Sequence, residues 1–575
     1  MANGGAAVSR AIQREGARTV FSLAGAGHAR ILDALDRDGV RIVSARHETA
    51  AVVAADGYAR ITGRVGFAVL ISKQGLPNAL TGIMEARQAC SPVVVILARP
   101  PISHDDPGSG LDDELAFVRP FTKWARIVYD QERLAEYVHH AAHVARSGRP
   151  GPAVLAIPQD LLAAEVQEQR REDEPIVPPP PPDPSPAAIE AAAALLAAAR
   201  RPLIVAGSGA VRAGEGLSRL AREFCIPVLG HALGRGAVPE DMELGFPWPL
   251  AQVAAKEADV VLVLGARLSD RLGYGLPPRF HPEARFIQVD IAGEELRRAR
   301  PIEVPIVADA GRAALALADA LARKLGGARP LSDAAPGYVT AALANRLARI
   351  AEVGLGDDGP LHPYRIARDL TPLIPRNAIV VGDGADALNF MLAYLRIYQA
   401  PSYLDHYPSG SMGIGTPLAI GAAAAARELA ETTGTSPRPV FLLTGDGAFG
   451  FYLAELNSIA LAKLPIRIVV INDNAWGTER HGQRRTLGRT VNTDLGETRY
   501  DRIAQGFGIE AFHVAAPRAV RPALERLVAA PGPALVDCWV DREAGALRKE
   551  DPRLQMIPHD DITTSRRPHA TPSVA

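Results

Sequence analysis

An aspartate set between glycines at the end of an apolar run, with a second aspartate at the end of the next run, is the strongest chemical signal in this chain. Gly445-Asp446-Gly447 follows the apolar run PVFLLT and precedes AFGFYLAELNSIALAKL, a stretch of helical period. The next apolar run, PIRIVVI, ends in Asn472-Asp473-Asn474. Strand, helix and strand form a βαβ unit, so Asp446 and Asp473 are expected side by side at one sheet edge. Two hard oxygen donors at that edge suit Mg²⁺, which takes oxygen ligands and bridges to phosphate. The glycines let a phosphate approach the backbone, and the following helix offers its N–H groups. The plainer alternative is a tight turn in which Asp446 caps a helix; the second acidic cluster weighs against it. A second signal is Arg46-His47-Glu48, between RIVSA and TAAVVAADGYARI, which sets Glu48 beyond the carboxyl end of a strand. The helix dipole alone also favours a glutamate in a first turn, and on these residues by themselves that simpler reading prevails.

Such groups need strands that end at a common edge. Short apolar runs recur: VGFAVLI at 65–71, SPVVVILA at 91–98, RPLIVAGS at 201–208, DVVLVLG at 259–265, RFIQVDI at 285–291 and NAIVVGDG at 377–384. Longer Ala/Leu/Arg runs of helical period separate them. This alternation indicates parallel sheets buried on both faces. The expected fold is α/β, with three consecutive doubly wound parallel-sheet domains. Residues 172–186 read EDEPIVPPPPPDPSP, an extended polyproline connector. A linker at 176–186 therefore divides a first domain, 1–175, from a second, 187–330. The stretch GGARPLSDAAPG at 326–337 leads into a third, 338–550, and residues 551–575 form an expected mobile tail.

Composition narrows the classes further. At 575 residues the chain is long enough for three or four domains, and 47% hydrophobic with 22% charged residues is a folded, globular mixture. Sixty-three basic against 64 acidic residues leave a net charge of −1, which gives no global support to nucleic-acid or polybasic membrane contact. Cys90, Cys225 and Cys538 lie far apart, with neither metal-type spacing nor an even disulfide framework, so a reducing cytoplasm is expected. The N-terminal residues lack a signal-peptide layout. The stretch Ser411–Ala426 is too short and too rich in Gly and Pro to span a membrane, and is read as a buried loop and helix.

Four motifs together carry a resemblance: RHETAAVVAADGYAR (46–60), TGIMEA (81–86), GSMGIGTPLAIGAA (410–423) and GDG…NDN (445–474). In content and order they resemble the thiamine diphosphate enzymes of the acetolactate synthase, benzaldehyde lyase and 2-hydroxyacyl-CoA lyase superfamily, over nearly the whole chain up to about residue 545. The resemblance implies a pyrimidine-binding, a middle and a diphosphate-binding domain in that order. It implies that Glu48 shares a proton with the aminopyrimidine ring and so helps to generate the cofactor's carbanion nucleophile. It places the metal on Asp446, Asp473 and the backbone carbonyl of Ala475. Asp473 stands where the family usually has asparagine, which adds a negative charge beside the diphosphate. Gly384 and Ala385, Gly410, Ser411 and Met412, Gly445, Gly447 and Ala448, and Trp476 and Gly477 match cofactor contacts, with Met412 as the apolar prop. Gly75 and Asn78 match a loop near the reaction centre. The family takes its glutamate and its diphosphate domain from different subunits, so an obligate homodimer is implied, with homotetramers common among relatives.

The substrate side departs from any single relative. Where acetolactate synthase has a Gln-Trp-Glu triplet, this chain has His481-Gly482-Gln483. Trp476-Gly477 with His481 is closer to benzaldehyde lyase, but that enzyme's loop histidine falls at Gly27, one residue before His28, and its glutamine at Ser109. The run at 265–291 resembles 2-hydroxyacyl-CoA lyases. Glu479, His481 and His28 are the candidate acid–base groups, with His104 a weaker one; solvated or buried structural roles are the alternatives. GSGAVRAG at 207–214 is a weak nucleotide signal, and relatives use this domain for FAD, for ADP or for nothing. The favoured activity is decarboxylation and carboligation of 2-keto acids. The alternatives are a lyase of 2-hydroxy ketones or 2-hydroxyacyl-CoA, and a non-catalytic cofactor-binding scaffold.

Overall fold

A computed structural model of the chain describes residues 2–104, 114–167, 179–331, 336–353, 356–407 and 409–545. Ser109 and the expected tail lie outside the described residues, as does part of the proline-rich linker. Residues 179–185 of that linker adopt neither helix nor strand and are mostly exposed, up to the helix Pro186–Ala197.

Each apolar run forms a strand. The first sheet comprises β1 (Thr19–Ser22), β2 (Arg41–Ser44), β3 (Gly66–Ile71), β4 (Val93–Arg99), β5 (Trp124–Ile127) and β6 (Ala153–Pro158), in the order β2-β1-β3-β4-β6-β5. The second comprises β7 (Pro202–Ala206), β8 (Val228–Gly230), β9 (Gly245–Pro247), β10 (Val260–Leu264), β11 (Arg285–Asp290) and β12 (Val304–Val307), in the order β9-β8-β7-β10-β11-β12. The third comprises β13 (Ile379–Gly382), β14 (Tyr403–Asp405), β15 (Val440–Gly445), β16 (Ile466–Asn472), β17 (Glu510–Val514) and β18 (Ala534–Trp539), in the order β14-β13-β15-β16-β18-β17. All pairings within these sheets are parallel, and helices cover both faces. The three-sheet α/β architecture expected from the alternating pattern is thus present. The first and third sheets share one strand order.

Five helices matter for the site: α1 (Glu48–Thr62), α2 (Gly75–Ala89), α3 (Ala385–Tyr394), α4 (Gly415–Thr433) and α5 (Gly477–Leu487). The first and third sheets are joined through α1 and α4, which pack backbone against backbone. A β-carbon at Gly57 would lie 2.5 Å from the Leu418 carbonyl oxygen, and one at Gly421 only 1.9 Å from that of Ala54. The close approach is therefore open only to glycine at those positions. A buried carboxylate fixes the pair: Glu428 of α4 accepts hydrogen bonds from Tyr58 Oη at 2.7 Å and Thr19 Oγ1 at 2.8 Å. Ser411–Ala426 is a loop followed by α4, which is buried along most of its length, as its composition suggested. Among the described residues, no helix is long and apolar enough to cross a membrane.

The stretch after Gly445 departs from the expected continuous helix. It breaks into a helix Asp446–Phe449, a 3₁₀ turn Gly450–Tyr452 and a helix Glu455–Leu461. A tertiary contact overrides the period: Glu455 is drawn inward, where it accepts the Arg46 N–H at 2.9 Å and the Ser458 hydroxyl at 2.7 Å.

Candidate active site

The carboxyl ends of the third sheet's central strands open into a cavity of about 290 Å³. β15 and β16 run side by side with Gly445 opposite Ile471, so Asp446 and Asp473 emerge together. Asp446 is 3% exposed, and its carboxyl stands beside that of Asp473. Burial and then the neighbouring charge push Asp446 well above the usual carboxylate range; burial raises Asp473 as well. A buried and a half-buried carboxyl this close repel one another when both are ionised, and a cation between them relieves that repulsion. The loop below them is rigid. Asn472 donates to Asp537 Oδ1 at 3.0 Å and accepts the Asn474 N–H at 3.0 Å. The backbone bonds Trp476 N–H to Thr493 and Leu495 N–H to Asn474 flank Ala475 and leave its carbonyl outside that ladder.

The other walls come from the loops after β13 and β14. Gly384, Ala385, Gly410, Met412, Gly445, Gly447, Ala448, Trp476 and Gly477 line the cavity, as do Asp446, Asp473 and Ala475. Ser411 lies in the same loop and donates its N–H to Ser409 Oγ at 3.2 Å. Gly384 has φ +79°, a left-handed conformation natural to glycine. Glu479 and His481 of α5 also line the cavity, Glu479 from its exposed side. Their neighbour Arg480 turns away to Glu543 at 2.7 Å.

Two carboxylates here carried no expectation. Asp383, 1% exposed, accepts backbone N–H groups of Gly384 at 2.7 Å, Gly413 at 3.2 Å and Gly415 at 2.7 Å. It ties the loop after β13 to the Met412 loop. Burial raises its carboxyl to about 6 against those three donors. Asp386, in the first turn of α3, lies 3.9 Å from His481 Nε2. The signal for Asp383 was in the sequence: Gly382-Asp383-Gly384 repeats the triplet 445–447 at the adjacent strand end.

The residues expected near the pyrimidine ring stand elsewhere. Glu48 begins α1 beyond β2 and is 6% exposed; Asn78 Nδ2 donates to its Oε2 at 3.1 Å. Gly75 faces the same carboxylate. Neither Glu48, Gly75, Asn78 nor His28 is part of the 290 Å³ cavity wall. His28 is fully buried, its Nε2 accepts the Gly25 N–H at 3.3 Å, and burial lowers its pKa to about 4. Within this chain, then, the structure gives His28 a neutral, packed environment and does not bring it to the cavity. His104 is exposed in a short 3₁₀ turn.

Residues 2–119, 189–317 and 386–538 match, in order, the N-terminal TPP binding, central and C-terminal TPP binding domains of thiamine pyrophosphate enzymes. A probable acetolactate synthase of Mycobacterium bovis is 31% identical over 553 residues, covering 95% of this chain and 97% of its own. A probable acetolactate synthase large subunit of Methanocaldococcus jannaschii is 30% identical over 565 residues, covering 94% and 92%. The 2-hydroxyacyl-CoA lyase 1 of Homo sapiens is 26% identical over 560 residues, covering 94% and 95%. The chain belongs to the thiamine pyrophosphate enzymes. It is a thiamine diphosphate-dependent catalyst, and the donor set fits that cofactor: paired carboxyls for a cation, glycine-rich loops for a diphosphate, and an apolar Met412 wall.

This thiamine pyrophosphate enzyme has a second, larger cavity of about 460 Å³ between its three sheets. It opens at the carboxyl ends of β7 and β10, where the strand order reverses, the usual ligand position in such sheets. Ser208, Gly209 and Arg212 of the GSGAVRAG stretch line it, with Arg149, Arg267 and Arg279. Arg271 lies 3.7 Å over the Tyr407 ring, and this pair belongs to the walls of both cavities.

Proposed function

We propose that the enzyme uses thiamine diphosphate and Mg²⁺ to decarboxylate a 2-keto acid and join the remaining acyl unit to a second carbonyl compound, as acetolactate synthases do. The observation that carries this reading is the pairing of buried Asp446 with half-buried Asp473 in the wall of a glycine-lined cavity. Thiamine diphosphate supplies carbanion chemistry next to a carbonyl. Asp446, Asp473 and the Ala475 carbonyl would hold the cation, whose charge offsets the two carboxylates and the diphosphate. Gly384 and Ala385 would bind the diphosphate, and the Gly410–Met412 loop would orient the cofactor, with Met412 as its apolar prop. Glu48, fixed by Asn78, would hold a proton at the pyrimidine ring. His481 beside Asp386 would move a proton to or from the substrate, with Glu479 at the open side.

Because Glu48 does not reach the cavity of its own chain, the working unit in this reading is a homodimer whose partner supplies it, with a homotetramer as a pair of such dimers. Three separate free cysteines suit a cytoplasmic location. The arginine-rich cavity beside the cofactor site favours a second reading. It suits the phosphates of a nucleotide: FAD, ADP, or the nucleotide part of a 2-hydroxyacyl-CoA substrate, which a lyase would cleave.

The test is product analysis by NMR with carbon-labelled pyruvate, thiamine diphosphate and Mg²⁺, against a Glu48→Gln control. Labelled acetolactate, acetoin or acetaldehyde supports 2-keto acid chemistry. Unchanged pyruvate with cleavage of a 2-hydroxyacyl-CoA or 2-hydroxy ketone moves the assignment to the lyase. A bound cofactor whose thiazolium proton does not exchange with deuterium would leave only a scaffold.

A further inference from the structure

The TGIMEA stretch contributes to the resemblance without a role of its own, yet its glutamate reaches the cofactor cavity's wall from below. Glu85 of α2 is fully buried. Its Oε1 accepts from Arg60 Nη2 at 3.0 Å. Arg60, at the end of the helix that begins with Glu48, is already bound to Asp56 at 2.8 Å through Nε and to the Asp405 carbonyl at 3.1 Å through Nη1. The other oxygen, Oε2, accepts the Ser409 hydroxyl, which in turn accepts the Ser411 N–H at 3.2 Å. Gly410 N–H closes the turn onto the His406 carbonyl at 3.0 Å. A single chain of hydrogen bonds thus runs from a buried guanidinium to the loop that carries Gly410, Ser411 and Met412.

We propose that Glu85 is a positioning residue for this loop: its carboxylate, held by Arg60, pulls Ser409 down and so fixes the Gly410–Met412 wall against the cofactor. The inference rests on the assignment of that cavity to thiamine diphosphate. Charge decides the strength of the hold. Ionised, Glu85 accepts a charge-assisted bond from Ser409, about twice as strong as a neutral one. Protonated, it must donate to Ser409 and compete with the Ser411 N–H for the same hydroxyl oxygen. Asp56 and Arg60 on α1 are the charged groups acting on Glu85, and from the loop it meets the Ser409 hydroxyl. Of the neighbouring loop groups, burial lowers His406 to about 3, so it adds no positive charge near neutrality, and burial raises Asp405. One guanidinium shared between two buried carboxylates leaves Glu85 as the weaker partner, and burial raises it to about 7. Since the folded value is raised, the proton is lost only as pH climbs through neutrality, and the loop tightens over that interval.

The experiment measures thiamine diphosphate affinity from pH 6 to 8 in saturating Mg²⁺, read by calorimetry and by Trp476 fluorescence, for the native chain, Glu85→Gln and Ser409→Ala. Titrations of the cofactor and of Asp446 and Asp473 are common to all three and cancel in the comparison. The Glu85→Gln side chain keeps the shape of the acid form, so affinity in that variant should equal the native value at pH 6 and fall about fivefold below it at pH 8. Ser409→Ala should show the same flattened profile. Binding by all three chains with superimposable pH profiles overturns the proposal. No binding by the native chain at any pH overturns the cofactor assignment and the proposal with it. Glu85→Ala, by contrast, leaves Arg60 underpaired and is expected to lose fold stability, which is why the isosteric variants carry the test.

Discussion

The first and third sheets have the same strand order and the same parallel pairing, yet their working edges carry different chemistry. Beyond β1 the first sheet has the small loop leading to a buried, neutral His28; beyond β13, at the same topological place, the third has Asp383 holding three backbone N–H groups. Beyond β3 comes Gly75 facing Glu48; beyond β15 comes Asp446. Among the described residues, the edge of the first sheet offers Glu48 as its proposed working carboxylate, while that of the third gathers Asp383, Asp446 and Asp473, with Asp386 nearby. The lesson is physical. A doubly wound sheet dictates where a ligand can sit, and the loop residues at each strand end decide whether that place handles a proton or a phosphate and a cation.

Substitutions that separate the two edges sharpen this contrast. The largest effect is expected from Glu48→Gln, which should lower turnover about 1,000-fold while cofactor affinity changes only a few-fold, if the first sheet's carboxylate handles a proton as proposed. Calorimetry beside product NMR checks it; a parallel collapse of cofactor binding would erase the distinction between the edges. Next comes Asp446→Asn, which should weaken Mg²⁺-dependent cofactor binding about 100-fold, since it removes the more buried member of the pair.

The pair also sets a pH dependence. Both carboxyls are raised, so a cation bound there competes with protons, and its affinity should climb as pH rises above the ordinary carboxylate range. In Asp473→Asn the neighbouring charge is gone, Asp446 ionises at lower pH, and that climb should move to lower pH; metal titrations at several pH values would show an unmoved curve if the two groups did not communicate. A smaller effect is expected from Asp383→Asn. It replaces one acceptor oxygen by a donor among three N–H groups and should cost about 1–3 kcal/mol of stability, read by denaturant unfolding. The smallest functional effect is expected at His28. His28→Ala should lower the melting temperature by several degrees while turnover stays within about threefold, as for a packing residue. A turnover loss comparable to that of Glu48→Gln would return His28 to the chemistry.

Much of this was legible from local pattern. Continuous Val/Ile/Leu runs can be buried on both faces only in a parallel sheet, so β4, β10, β15 and β16 could be read directly. Asp446 and Asp473 were readable because each immediately follows such a run, and sequential parallel strands put their ends together. Glu48 was readable as a position, while the role proposed for it rests on the four motifs taken together. Less legible was anything that depends on side chains from distant segments. The break after Phe449 arises because Glu455 reaches Arg46, 409 residues away in sequence, and helical period carries no trace of that contact. Asp383 repeats a visible triplet, but its three acceptor bonds depend on the Gly413–Gly415 turn folding over it.

Local pattern along the chain was enough for the strands, their α/β alternation and the carboxylates at their ends, because backbone hydrogen bonding and apolar burial act within a few residues. Tertiary structure alone decided which charged groups share a buried space. Glu85 meets Ser409 and Arg60, and His481 meets Asp386, only once α1, α2 and the loops of the third sheet pack together. Desolvation and Coulomb interaction act through space and not along the chain, so the protonation of those groups is a property of the packed molecule.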